Sequence, residues 1–130
     1  MKLTTKAEYA VRCLINLLHA EGKAPIQIRQ ISDSEGISKP YIEQLFMKLR
    51  KDGLIKSVRG PSGGYVFSKS PSKITIGDII RCVEGPIHLA VCTSGQTCGR
   101  MKGCRTYPLW QKISKKIESA LDSVKLGDLK

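Results

Sequence analysis

The chain's 130 residues suffice for one domain with a buried core plus an appendage, and 41% apolar residues is ordinary for a globular protein. Twenty-two Lys and Arg against 11 Asp and Glu leave a net charge of +11, which points to a polyanionic partner, although charge alone also serves solubility. No apolar run approaches the roughly 18 residues that span a bilayer, and the N-terminus lacks the apolar stretch of a signal peptide. A membrane role is therefore excluded and a cytoplasmic protein expected.

Residues 1–21 carry Ala7, Ala10, Val11, Leu14, Leu17 and Leu18 at the spacing of an amphipathic helix. Thr5 and Glu8 stand three apart, the spacing of a capping box at its start. Cys13 reads as a small core residue and His19 as an ordinary surface histidine. A short lead-in at 26–28 follows, then a short helix closed by Gly36, a turn through Ile37, and a second helix opened by Ser38 with Pro40 in its first turn. On that second helix Ile42, Leu45, Phe46 and Leu49 form the buried stripe; Lys39, Tyr41, Glu43, Gln44 and Lys48 fall on the other side.

Two helices around a glycine turn make a helix-turn-helix pattern, whose second helix enters a DNA major groove. Residues 54–59 alternate as a strand, 60–64 form a turn, and 65–67 return, so the pair is followed at once by a hairpin wing. Arg59 and Gly60 lie at its tip, where a guanidinium can enter a minor groove. Base reading is expected from Ser38, Tyr41, Glu43 and Gln44, with Lys39 and Lys48 available for phosphates. Thr75 and Asp78 open a further helix with Ile76, Ile79, Ile80 and Val83 on one face; Cys82 on it reads as buried.

Cys92, Cys98 and Cys104 come next, five residues between neighbours, with Gly95, Gly99 and Gly103 among them. Glycines permit the tight curl that brings sulfurs together, and soft thiolates favour iron-sulfur clusters, zinc or cuprous copper. The even spacing is unlike the C-x2-C knuckle of zinc sites and favours an iron-sulfur group, with unligated thiols, a structural zinc or a thiol oxidoreductase as the rival readings. The oxidoreductase reading lacks C-x-x-C, a base beside a cysteine and a phosphate-binding glycine loop. From Pro108 a last amphipathic helix runs to about Val124, with Leu109, Ile113, Ile117, Ala120, Leu121 and Val124 on one side. A second copy is the economical cover for it, giving a homodimer with two recognition helices for a palindromic operator. Residues 126–130 are expected to fray.

The expected fold is mainly α with a small β-hairpin: a winged helix-turn-helix (1–83), a cysteine loop (84–106) and a C-terminal dimerisation helix (107–130). The opening Thr5-x-x-x-Tyr9-Ala10-x-Arg12, Gly36-Ile-Ser38 with Tyr41-Ile-Glu-Gln-Leu45, Val58-Arg-Gly-Pro-Ser-Gly-Gly-Tyr65 and the three cysteines together resemble the IscR/NsrR (Rrf-two) family of bacterial winged helix-turn-helix regulators. The resemblance implies a homodimeric, non-enzymatic transcription factor that binds a 2Fe-2S cluster, or in some members 4Fe-4S, through Cys92, Cys98 and Cys104, and takes no small-molecule substrate. It implies sensing of cluster supply, redox state or nitric oxide, control of cluster-assembly genes in the IscR branch, and operator discrimination through Glu43. The chain departs from the IscR pattern at the fourth ligand: a histidine there is Tyr107 here. Other members use a carboxylate from the partner subunit, a place that Glu8 occupies, and His88 stands near the loop.

Overall fold

The computed structural model describes residues 3–89 and 103–129. Three helices, α1 (Thr5–His19), α2 (Ile28–Glu35) and α3 (Lys39–Lys51), precede an antiparallel hairpin of β1 (Ile55–Val58) and β2 (Gly64–Phe67). A 3-10 turn at Pro71–Lys73, α4 (Ile76–Glu84), α5 (Tyr107–Asp122) and a closing 3-10 turn at Leu126–Leu129 complete the chain.

The core lies between α1, α3 and α4. Ala7, Ala10, Cys13, Leu14, Leu17 and Leu18 form the buried face of α1, where two alanines let neighbouring helices approach closely. Ile42, Leu45, Phe46 and Leu49 of α3 meet it, as do Ile79, Ile80 and Val83 of α4. Cys13 is fully buried, as a core residue should be. Burial, helped by the charge of Glu35, pushes its thiol up to about 12.

Helix α1 starts one residue earlier than expected. Its cap is Thr4, whose hydroxyl accepts from the Ala7 N–H at 3.4 Å, and Thr5 is already helical. With Thr4 as cap the third helical residue is Ala7, so Glu8 takes no part in a capping box. At α4 the capping box is formed as expected: the Thr75 hydroxyl accepts from Asp78 N–H at 2.9 Å, and the Asp78 carboxylate accepts from Thr75 N–H at 3.0 Å. The first strand is shorter than residues 54–59 and does not alternate, because Leu54 and Ile55 are both buried and Lys56, Ser57 and Val58 are all exposed.

The C-terminal residues do not fray. Val124 O accepts from Ile76 N–H at 2.9 Å, Leu126 N–H donates to Ile74 O at 2.7 Å, and Leu126 is fully buried. The chain end is thus sewn to the connector before α4. Helix α5 begins at Tyr107 and lies against α4, yet among its described residues Ser114 alone is buried. Leu109 is 46% exposed and Val124, just past the helix, 40%.

Candidate nucleic-acid interface and cysteine loop

Local sequence positions α3. Gly36 takes the left-handed conformation (φ 69°) that ends α2, with its N–H on Ser32 O at 2.9 Å. The Ser32 hydroxyl donates to Ile37 O at 2.6 Å, and the Ile37 side chain is buried, so the turn is locked from both sides. Ser38 stands at the N-cap in extended conformation, and its side chain makes no capping bond. Non-local contacts then set the angle. Arg12 of α1 donates to the Glu35 carboxylate at 3.0 Å and to Glu35 O at 2.8 Å, and Asn16 donates to the same carboxylate at 3.2 Å. The Asn16 bond, then the Arg12 bond, hold the Glu35 carboxyl below its ordinary value. The Arg12 guanidinium also lies 5.2 Å from the centroid of the Tyr9 ring, whose edge meets Tyr41 at 5.7 Å. Tyr9 and Arg12 of the opening motif therefore brace the helix-turn-helix.

Ser38 at the N-cap and Lys39, Glu43 and Gln44 on α3 are exposed. Tyr41 and Lys48 are placed differently. Tyr41 is half-buried against Tyr9 on the flank of the helix, and Lys48 sends its ammonium to Val83 O at 3.4 Å, the carbonyl end of α4. An ammonium is favourable at that negative helix terminus, and Lys48 is otherwise exposed. Met47, 61% exposed, is an outward residue that polarity-based reading passes over.

The wing is fastened through its glycines. Tyr65 N–H donates to Ile26 O at 2.8 Å and Ile26 N–H to Tyr65 O at 3.1 Å, pairing β2 with the connection before α2. A Cβ on Gly64 would collide with the Ile26 carbonyl, and one on Gly63 with the Val58 carbonyl. Tyr65 also meets Phe46 of α3 edge-on at 5.0 Å, fixing the wing relative to the recognition helix. Arg59 is exposed at the tip beside Gly60, whose φ of 107° makes the turn.

Cys92 and Cys98, with Gly95 and Gly99, lie outside the described residues; Cys104 is described. It is half-buried just before α5, its sulfur 3.3 Å from the Thr106 hydroxyl, and Gly103 turns the chain into it with φ 79°. On the other side of residues 90–102, the Leu89 N–H donates to the buried Ser114 hydroxyl at 3.1 Å, which ties that flank to α5. Tyr107 opens α5, and its phenol oxygen accepts from Gln111 Nε2 at 2.9 Å. Glu8 is exposed and borders an apolar hollow of about 260 Å³ with Leu3, Val11 and Ile76. His88 borders an adjoining hollow with Glu84 and Leu121, which shares Leu3, Ala7 and Ile80 with the first. Cys82 is half-buried; burial, then a hydrogen bond to Asp52, push its thiol up to about 12, which disfavours the thiolate a metal needs. Among the described residues, no three His, Cys, Asp or Glu side chains come together as a metal site.

Sequence reasoning also missed the joint between α4 and α5. Arg81 reaches Asp122 at 2.6 Å, Glu118 at 3.2 Å and Asp78 at 3.3 Å, and the Thr75 hydroxyl donates to Asp122 at 3.2 Å. Gly77 makes room for Asp122, whose carboxylate a Cβ there would strike. Among the described residues no helix is long and apolar enough to cross a membrane.

Comparison with known proteins matches residues 3–130 to the Rrf2 family, described as "Iron-dependent Transcriptional regulator". The chain is 42% identical over 130 residues to the HTH-type transcriptional regulator IscR of Aliivibrio salmonicida, covering 99% of this chain and 77% of that one. The solved structure of T. potens IscR superposes with a TM-score of 0.80 at 38% identity, covering 99% of this chain and 85% of that one. CymR (YrzC), described as the global cysteine regulator of B. subtilis, superposes with a TM-score of 0.83 at 36% identity, covering 99% and 95%.

Proposed function

The chain belongs to the Rrf2 family and is a winged-helix transcriptional regulator of the IscR type, and we propose that an iron-sulfur cluster controls its operator recognition as a homodimer. The likeness to CymR means that the fold alone does not select the signal. The carrying observation is that the residues on either side of a segment holding Cys92 and Cys98 both lie at α5: the Leu89 N–H donates to Ser114 of that helix, and Cys104, the third thiol, stands just before it beside Thr106.

The donor chemistry fits such a group. Cys92, Cys98 and Cys104 would hold it as soft thiolates, whereas Cys13 and Cys82 are kept protonated by their surroundings. Glu8 of the partner subunit is the favoured fourth donor, because Thr4 takes the capping role and leaves the Glu8 carboxylate out of it. Tyr107 is the other candidate, its oxygen already accepting from Gln111. A 2Fe-2S cluster, or a 4Fe-4S one, supplies a redox-sensitive group when bound, and a single non-sulfur ligand makes its loss easier, which suits a sensor of cluster supply. Control of cluster-assembly genes follows from the kinship with IscR.

The half-exposed apolar side of α5, with Leu109, Ile113, Ile117 and Leu121, is covered by a second copy. Dimerisation presents two α3 helices to a palindromic site. In each half, Gln44 pairs with adenine, Glu43 accepts from cytosine N4, Lys39, Arg50 and Lys51 neutralise phosphates, and Arg59 enters the minor groove. Because α5 meets the residues flanking the cysteines and carries the dimer face, cluster binding resets the distance between the paired α3 helices, a shift between two DNA-reading forms.

The test is anaerobic purification with iron, sulfide and zinc analysis, visible absorption, and operator titration with and without the reconstituted cluster. A coloured protein holding iron and sulfide, with different affinities in the two states, is expected. A colourless zinc protein, or identical affinity toward every duplex tried, refutes the proposal.

A further inference from the structure

Met47 is the most exposed of the large apolar side chains among the described residues, at 61%, and it sits on α3. Pro40, Glu43, Gln44 and Met47 follow one another at i, i+3, i+4 and i+7, so they line one stripe of the helix, and all four are exposed. That stripe faces away from Ile42, Leu45, Phe46 and Leu49, all buried. Met47 lies about 4.5 Å further along the axis than Gln44, close to one base-pair step of about 3.4 Å. Its flanks are cationic, with Arg50 and Lys51 both exposed. An uncharged, flexible thioether among cations bound for phosphates is suited to an apolar target within the groove, and the apolar mark that a major groove offers is the thymine C5-methyl.

We infer that Met47 is a specificity-determining residue that reads a thymine methyl one step beyond the base contacted by Gln44. This rests on the reading that places α3 in the major groove. The Met47 thioether covers the methyl, excluding water from both, without any hydrogen bond. Covering one methyl corresponds to roughly a four-fold preference per half-site, and about fifteen-fold when both half-sites of a dimer are altered.

The experiment selects duplexes from a randomised pool with the full-length chain, then replaces each thymine of the selected sequence, in both half-sites, by deoxyuridine, which removes the methyl alone. Wild type is expected to lose about fifteen-fold at one symmetric thymine pair, Met47→Ala to bind the two duplexes alike, and Met47→Leu to restore the preference. The inference is overturned if wild type binds thymine and deoxyuridine duplexes equally at every position. It is equally overturned if Met47→Ala keeps the preference, or weakens both duplexes to the same extent. Gln44→Ala separates the two levels: a changed selected sequence alongside a silent Met47 sinks this inference alone, whereas unchanged selection by both variants removes α3 from the groove.

Discussion

Replacing Arg81 by Met keeps the apolar stem of the side chain and removes the charge that joins three carboxylates between α4 and α5. In the native protein the Arg81 cation is held above its ordinary range, chiefly by the hydrogen bond to Asp122. Burial raises the Asp78 carboxyl, but the Thr75 backbone and hydroxyl bonds, with Arg81, outweigh it and leave the carboxyl below its usual value. The four side chains are 31–40% exposed, so solvent screens each pair, and partly exposed pairs contribute about 0.2–1 kcal/mol. Three pairs on one guanidinium, plus the repulsion left among the carboxylates, put the loss for Arg81→Met at about 1–2 kcal/mol at pH 7. The pH dependence has a definite sign. Stability from a depressed carboxyl is present above its unfolded pKa of about 3.9 and is lost as pH falls through the lower folded value. The variant lacks one of the depressing groups, so its deficit is largest at neutral pH and shrinks below about pH 4; high salt shrinks it as well. Urea unfolding followed by far-ultraviolet circular dichroism, at one fixed protein concentration, measures this. A deficit below about 0.3 kcal/mol at pH 7, or one indifferent to both pH and salt, refutes the assignment of Arg81 as the clamp on α5.

Two further predictions follow from the cap and the wing. Thr4→Ala should cost about 0.5–1 kcal/mol and Thr5→Ala almost nothing, since the Thr4 hydroxyl caps α1; the reverse order in urea midpoints would restore the Thr5–Glu8 capping box. Gly64→Ala should cost about 2–3 kcal/mol, because the new Cβ drives β2 from the Ile26 carbonyl and breaks the paired hydrogen bonds there. Gly60→Ala, with open space around it, should cost only about 1 kcal/mol for its positive φ, and equal unfolding midpoints for the two variants would count against the wing's anchorage.

What could be read from the chain was whatever its neighbours in sequence decide. Gly36, Ser38 and Pro40 punctuate the helix-turn-helix within five residues, the α3 stripe repeats with helical period, and Thr75 with Asp78 caps α4 as spaced. Failure came where two local signals competed or where the partner is distant. Thr4 and Thr5 are both competent caps, and the spacing to Glu8 favoured Thr5, whereas the fold uses Thr4. The tail carries Leu126 among polar residues, so nothing local announces that its backbone pairs with residues about 50 positions earlier. The contact of Lys48 with the end of α4 was not legible, because no local rule places that helix end beside it. Of the three cysteines, Cys104 alone lies within the described residues; the expectation that the three sulfurs gather rests on their chemistry and spacing alone.

The two arginine clusters that sequence reading missed share a position in the architecture. Arg12 fastens the end of α2 to α1 just ahead of the recognition helix, and Arg81 fastens α4 to the far end of α5, the helix that meets the residues flanking the cysteines. Each joins residues 23 to 41 positions apart, and each stands at a junction beside a functional surface without belonging to it. Between them runs the packed core of α1, α3 and α4, with Lys48 of α3 reaching the last turn of α4. Arg81, the packed core and the Lys48 contact thus form a continuous set of contacts from α5 to α3. The segments that carry the candidate site residues are local and legible in the sequence, whereas the joints beside them are long-range pairs that only the fold reveals.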